Sequence, residues 1–226
     1  MAYDTVFVPS GDFTGLLADV IPLAGQDKEI PETFAVRVQW DGEQLHAMAT
    51  DDTRMGVSSW HPDDLPEAAE QEGVFARRGG QCRPWSVVIG LPDAALMAKT
   101  FKVSEKNWWV PLALDYVEGI TDTAKLRVAR NTDCGMPGLS MTVLDRPVDL
   151  PDVRKLLDVV PPEREVSRIK FNGELLAGFG QVRQRGGGLE FTFSGPDSMT
   201  LVTVGERFRG GIQPVRAERR RLASVA

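Results

Sequence analysis

The sequence predicts an α+β protein built by repeating one small unit: a strand, a helix, then three antiparallel strands. The hydrophobic period switches from about two to about 3.6 and back along the chain. The alternating runs are short and separated by turn residues. The whole order is written three times within 226 residues. One helix on a small sheet buries one face of each element, so copies of such a unit pack against one another.

In the first copy, Thr5 to Val8 alternates and reads as a strand. Asp12 is placed to N-cap a helix in which Phe13, Leu16, Leu17, Val20 and Ile21 share one face, and Pro22 ends it. Phe34–Trp40 and Leu45–Thr50 flank Asp41-Gly42, a hairpin signal, and Met55–Trp60 supplies the third strand. Residues 61–84, rich in Pro, Glu, Gly and Arg, read as a loop that is long for a compact domain. The second copy runs from a strand at Trp85–Ile89 to a helix with Pro92 in its first turn, then strands at Trp108–Tyr116, Lys125–Arg130 and Leu139–Leu144. As strand neighbours, Trp108 and Trp109 face opposite sides, leaving one indole outside the core. A short helix with Pro151 in its first turn leads to the third copy. There Val166–Phe171 reads as a strand, and Asn172 caps a helix through Leu175, Leu176, Phe179 and Val182 that Gly186-Gly187-Gly188 stops. Strands at Leu189–Phe193, Met199–Val204 and Gly211–Val215 follow.

Composition narrows the chemistry. A chain 42% hydrophobic and 26% charged is of the soluble globular class. No apolar run approaches the roughly 18 residues of a membrane span, and Met1-Ala2-Tyr3-Asp4 does not open a signal peptide. Cys82 and Cys134 read as thiols of a reducing compartment, so the expected location is cytoplasmic. With only His46 and His61, a multi-His metal site is excluded. The chain has no phosphate-binding glycine loop, no C-x-x-C, no H-E-x-x-H and no G-x-S-x-G. Asp51-Asp52 and Asp63-Asp64 read as solvated turns rather than Mg²⁺ ligands. These readings predict a protein that is not an enzyme and carries no metal or cofactor. Residues 1–72 hold 3 basic and 15 acidic side chains, and residues 73–226 hold 23 and 17, within a net charge of −6. A localised basic surface can therefore track phosphates although the chain is acidic.

Four segments resemble, in order, the bacterial DNA polymerase sliding clamp of the β-subunit type. They are Ala49-Thr50-Asp51-Asp52-Thr53-Arg54-Met55-Gly56, Leu150-Pro151-Asp152-Val153-Arg154-Lys155-Leu156-Leu157, Ile169-Lys170-Phe171-Asn172 with its Leu175-Leu176 helix, and Gly211-Ile212-Gln213-Pro214-Val215-Arg216. The resemblance implies a DNA-clamp fold: an N-terminal clamp domain over 1–146, a shortened C-terminal clamp domain over 147–216, and a basic tail over 217–226. It implies a homo-oligomeric ring of six clamp domains whose twelve helices surround duplex DNA without reading its sequence. Such a ring tethers a replicative DNA polymerase and is opened by a clamp loader. Lys99, Lys102, Arg154, Lys155, Arg183 and Arg185, on or beside predicted helices, are the candidate DNA-facing residues, although the first helix contributes no Lys or Arg. By motif match, a pocket for the partner's peptide has walls at Thr50, Arg54, Met55, Pro151, Leu156, Ile212, Pro214 and Val215. Gly211 and Gln213 stand where larger apolar residues are common in that family. Four helices per chain would close the ring as a trimer; if the 151–158 helix does not line the hole, twelve helices need a tetramer. The short chain suggests a phage-type replisome. The alternative is a clamp-fold protein that binds a host clamp, loader or polymerase without encircling DNA.

Overall fold

The computed structural model describes residues 4–65, 82–118, 124–130, 138–182 and 187–215. Unit one comprises β1 (Asp4–Pro9), α1 (Ser10–Val20), β2 (Ala35–Trp40), β3 (Leu45–Thr50) and β4 (Arg54–Trp60). Unit two repeats the order with β5 (Trp85–Gly90), α2 (Leu91–Thr100), β6 (Pro111–Val117), β7 (Lys125–Arg130) and β8 (Leu139–Leu144). After α3 (Val153–Asp158), the third unit supplies α4 (Gly173–Phe179), β9 (Leu189–Thr192), β10 (Thr200–Val204) and β11 (Phe208–Ile212).

Units one and two exchange their first strands. β1 pairs with β6 from Asp4↔Tyr116 to Pro9↔Pro111, and β5 pairs with β2 from Ala35↔Gly90 to Trp40↔Trp85, all antiparallel. The result is a four-stranded sheet, β1-β6-β7-β8, and a seven-stranded sheet, β5-β2-β3-β4-β11-β10-β9. α1 and α2 lie side by side and share one core with the strands: Phe13, Leu16, Leu17 and Val20 pack with Ala94, Met97, Ile89, Leu112 and Leu114. Each helix starts directly at its strand's end, so the exchange locks both helices to both sheets.

The seven-stranded sheet continues without a break from unit one into unit three, where β4 pairs with β11 from Arg54↔Ile212 to Phe208↔Ser58. Gly56 and Gly210 face each other there. A Cβ on Gly56 would stand 2.4 Å from Leu23 Cδ1 and 2.8 Å from Phe208 Cζ. The glycine therefore opens the space in which Leu23, Phe179, Phe208 and Ile212 form a second core. β3 alternates, sending Leu45, Ala47 and Ala49 to the core under α1 and Met48 to the opposite face. On that opposite face lies α3, whose Val153 and Leu157 pack on Met48, Met55 and Val57.

Several expectations are corrected. Asp12 does not cap α1: the helix begins at Ser10, and the carbonyls of Val110 and Trp108 accept from the Ser10 and Gly11 amides at 2.7 and 2.8 Å. Asp12 instead meets Arg207 at 2.9 Å. Past α1 the chain continues through Pro22 as a 3-10 turn, Ile21–Leu23. Trp108 and Trp109 lie in a turn before β6 rather than on it, and both are half-buried. Pro151 precedes α3, which Asp152 caps by accepting from the Arg154 amide. Val166–Phe171 belongs to no strand, and the last strand is Phe208–Ile212 rather than Gly211–Val215. Most of the 61–84 loop, Cys134 and the basic tail lie outside the described residues.

Candidate peptide slot and DNA-facing surface

The motif at residues 49–56 forms the β3–β4 turn, with Asp52 at φ 68°. The Asp51 carboxylate accepts from the Thr53 and Arg54 amides at 3.1 and 2.8 Å and from Arg54 Nε at 2.8 Å. It is thereby consumed within its own turn. Arg54, nearly buried, reaches onward and donates from Nη1 to the Leu175 carbonyl of α4 at 2.9 Å. Thr50 donates to the Arg54 carbonyl at 2.9 Å. Thr50 thus closes the turn, and Arg54 bolts it to the third unit.

The eight slot residues do not share one wall. Met55 faces α3 and meets Val153 and Leu157, with Met48, Val57, Met199 and Leu201 around it. Ile212 points through the sheet to the α4 side, where it packs with Phe179 and Phe208. Pro214 is buried just beyond β11, and the Gln213 amide donates to the Thr53 carbonyl at 2.8 Å. Leu156 is 39% exposed and Val215 41%. Leu157, one position on, is the buried residue of α3, because Val153 and Leu157 stand four apart on one helix face. The Val153–Leu157 spacing and the alternation of Met48, Met55 and Val57 are the signals that identify this cluster. Its three methionines are unbranched and polarizable and fill the irregular space between sheet and helix.

α3 is tied down by a polar chain. Ser59 Oγ lies 2.8 Å from His46 Nδ1, His46 Nε2 lies 2.9 Å from Asp41 Oδ2, and Arg154 Nη1 donates to the same oxygen at 2.8 Å. Burial pushes the Asp41 carboxyl up, but the Gln44 amide, His46, the Glu43 amide and Arg154 outweigh it and hold it well below the usual carboxylate range. Burial also lowers His46, and this exceeds the raising effect of Asp41, so the ring is neutral near pH 7. A neutral ring then donates from Nε2 to Asp41 and accepts from Ser59 at Nδ1. The order is that of a Ser-His-Asp relay, yet His46 is 2% exposed and Asp41 is held by Arg154. The array fixes α3 to the β2–β3 hairpin.

The candidate cations divide between the two faces. Lys99 and Lys102 border a groove of about 790 Å³ on the helix side. Gly11, Thr14, Gly15 and Ala18 of α1 floor it, and the end of α4 closes it at Gly180–Val182. Glu105 joins that rim. Arg154 and Lys155 lie on α3, across the sheet from this groove, where Arg154 is paired with Asp41 and Lys155 Nζ lies 3.5 Å from Asp152. Arg183 and Arg185 lie outside the described residues. Among the described residues no cluster of His, Cys, Asp and Glu has a metal-holding geometry, and no helix is long and apolar enough to cross a membrane.

Two helices lodged on strand-exchanged units, with a sheet running across the next boundary, is an arrangement found among solved structures. The DNA polymerase sliding clamp from Pseudomonas aeruginosa superposes with a TM-score of 0.63 at 12% identity, over 96% of this chain and 67% of that one. The fold is that of the bacterial sliding clamp. The DNA polymerase III β subunit from Thermotoga maritima gives 0.63 at 10% identity, covering 94% of this chain and 65% of that one. The C. crescentus β sliding clamp gives 0.62 at 16%, covering 94% and 65%. The chain thus spans about two thirds of the length of these clamps. No family sequence model and no curated protein sequence matches it.

Proposed function

We propose that the protein is a DNA sliding clamp: a ring of its copies that encircles duplex DNA and holds a replicative polymerase there. The reading is carried by one observation. The helices α1 and α4 lie on the same side of the seven-stranded sheet, which runs unbroken from unit one into unit three, and α2 packs beside α1. Continued into a ring, that layering lines the hole with helices and leaves the sheets outside. Lys99 and Lys102 then face the DNA, where they touch phosphates and read no bases. α1, with Gly11, Gly15 and Ala18 toward the groove, offers a smooth wall that suits sliding rather than gripping.

The polymerase's peptide docks on the outer face, where α3 covers the methionine cluster. The exposed Leu156 and Val215 offer the contact surface there, supported from beneath by the closed cluster of Met55, Val153 and Leu157 within the 49–56 and 150–157 motifs. Arg54 and Ile212 contribute by holding the β4–β11 junction. A small apolar cluster that receives a hydrophobic anchor is an ordinary mode of peptide recognition. The protein needs no catalytic group of its own, and a loader supplies the energy that opens the ring.

The test is topological. DNA tethered to beads by one end is incubated with the protein, the free end is then capped with streptavidin, and the beads are washed in high salt. Retention after capping, with release on cutting the DNA, is expected. Electrostatic binding alone decays steeply with salt whether or not the end is capped, and that result would reject encirclement.

A further inference from the structure

The helix-side groove holds more than a duplex needs. Lys99 and Lys102 stand on its rim at the end of α2; both are exposed, and among the described residues no carboxylate holds either. Trp108 stands on the same rim, half-buried, and Glu105 beside it in sequence is exposed there. The Trp108 backbone is pressed on the first turn of α1: the Gly11 amide donates to the Trp108 carbonyl at 2.8 Å, and a Cβ on Gly11 would stand 2.8 Å from Trp108 Cβ. Trp108 is thus fixed at one end of a floor that runs from Gly11 to Ala18, about 10 Å along the helix, and the groove continues to Gln181. Leu96, 52% exposed, lies one turn before Lys99 on the same face of α2.

A sliding duplex is held through its phosphates, and an indole, a carboxylate and an exposed leucine do nothing for that contact. Unstacked bases use all three. Their faces stack on aromatic and apolar side chains, and a carboxylate accepts from the exocyclic amino group of cytosine. We propose that this groove binds a short run of single-stranded DNA, with phosphates on Lys99 and Lys102 and a base stacked on Trp108. Gly11, Gly15 and Ala18 keep the floor clear of side chains that would fill it. The occupant is a strand rather than a free nucleotide, because the floor runs on for about two turns of α1 beyond the Trp108 end. The choice of DNA over another polyanion rests on the clamp reading, in which a replicating polymerase keeps single-stranded template beside the encircled duplex.

The test is fluorescence anisotropy of the full chain with a labelled oligo-dC of about 12 nucleotides, against a blunt duplex of the same length. The single strand is expected to bind more tightly than the duplex. Trp108→Ala is expected to weaken it about tenfold, the scale of one base–aromatic stack. Lys99→Gln with Lys102→Gln is expected to flatten the slope of log K against log salt by about 1.4, the value for two phosphate contacts on a single strand. Gly15→Leu separates the groove from the fold. Nothing lies within 4 Å of a Cβ at that position, so the added side chain fills the groove, and it is expected to weaken binding without lowering Tm. A duplex bound as tightly as the single strand would overturn the proposal, as would an oligonucleotide affinity unchanged in both Trp108→Ala and Gly15→Leu. The assay needs no closed ring. Lost retention on capped beads with oligonucleotide binding intact would leave this site standing and reject encirclement, whereas retention without the single-strand preference would reject this site alone.

Discussion

The complete pair of units and the lone third unit are written in the same sequence pattern, yet they are buried to different depths. In the pair, β1 and β5 are exchanged, α1 and α2 cover each other, and Phe13, Leu17, Met97 and Leu112 are sealed. In the third unit the first segment lies outside the sheets, β9 is largely exposed, and the small core of Phe179, Val202, Phe208 and Ile212 leans on Leu23 of unit one. Local propensity is alike in the two regions; the partner is what differs. In the pair each first strand lies on the other unit's sheet, and in the third unit the matching segment pairs with none.

The sharpest way to break the comparison is to remove the side chain on which the third unit's core depends. Phe208→Ala is expected to cost about 3–5 kcal/mol and to unfold the third unit before the pair, giving two transitions in urea; one undisturbed transition would show that the junction is not the weak point. Leu157→Ala is expected to cost about 2–4 kcal/mol of stability, whereas Leu156→Ala stays within about 0.5 kcal/mol and weakens peptide docking on the outer face. Equal losses from both would contradict the assignment of the buried face of α3. Gly56→Ala is expected to cost about 1–3 kcal/mol by overpacking Leu23 and Phe208, read as a lowered Tm; a neutral variant would mean that the junction has slack.

The smallest effect concerns pH. His46 has its pKa lowered on folding from 6.5, so as pH falls through that value the unfolded chain takes up the proton first. Stability is then full above about pH 6.5 and declines below it. Asp41, also lowered, contributes stability above its ordinary value of 3.8 and loses it in stronger acid. A Tm that falls from pH 7 to pH 5 in the wild type and less in His46→Gln is expected. Parallel curves would show that His46 does not link α3 to pH.

What local pattern carries was readable. The Asp41-Gly42 hairpin, Asn172 at the N-terminus of α4, Pro92 in the first turn of α2 and most strands follow from spacing and turn chemistry. What failed depended on distant partners. Asp12 has the chemistry of a cap, but carbonyls almost a hundred residues away at Trp108 and Val110 already fill that role. Val166–Phe171 has a strand's pattern without a sheet to join. The exchange of β1 and β5 leaves no mark on local sequence. In the 150–157 motif the sequence does not say which leucine is buried: Leu157 packs inward and Leu156 is exposed, a one-residue phase that only packing decides. Arg154 was readable as a cation and not as Asp41's partner, which lies 113 residues away.

Electron microscopy of the purified protein images the assembly itself. A closed ring of several chains around a central hole, with the helices on its inner side, is the expected result. Open arcs or compact particles without a hole, at concentrations where the chain is assembled, would contradict a clamp that encircles DNA.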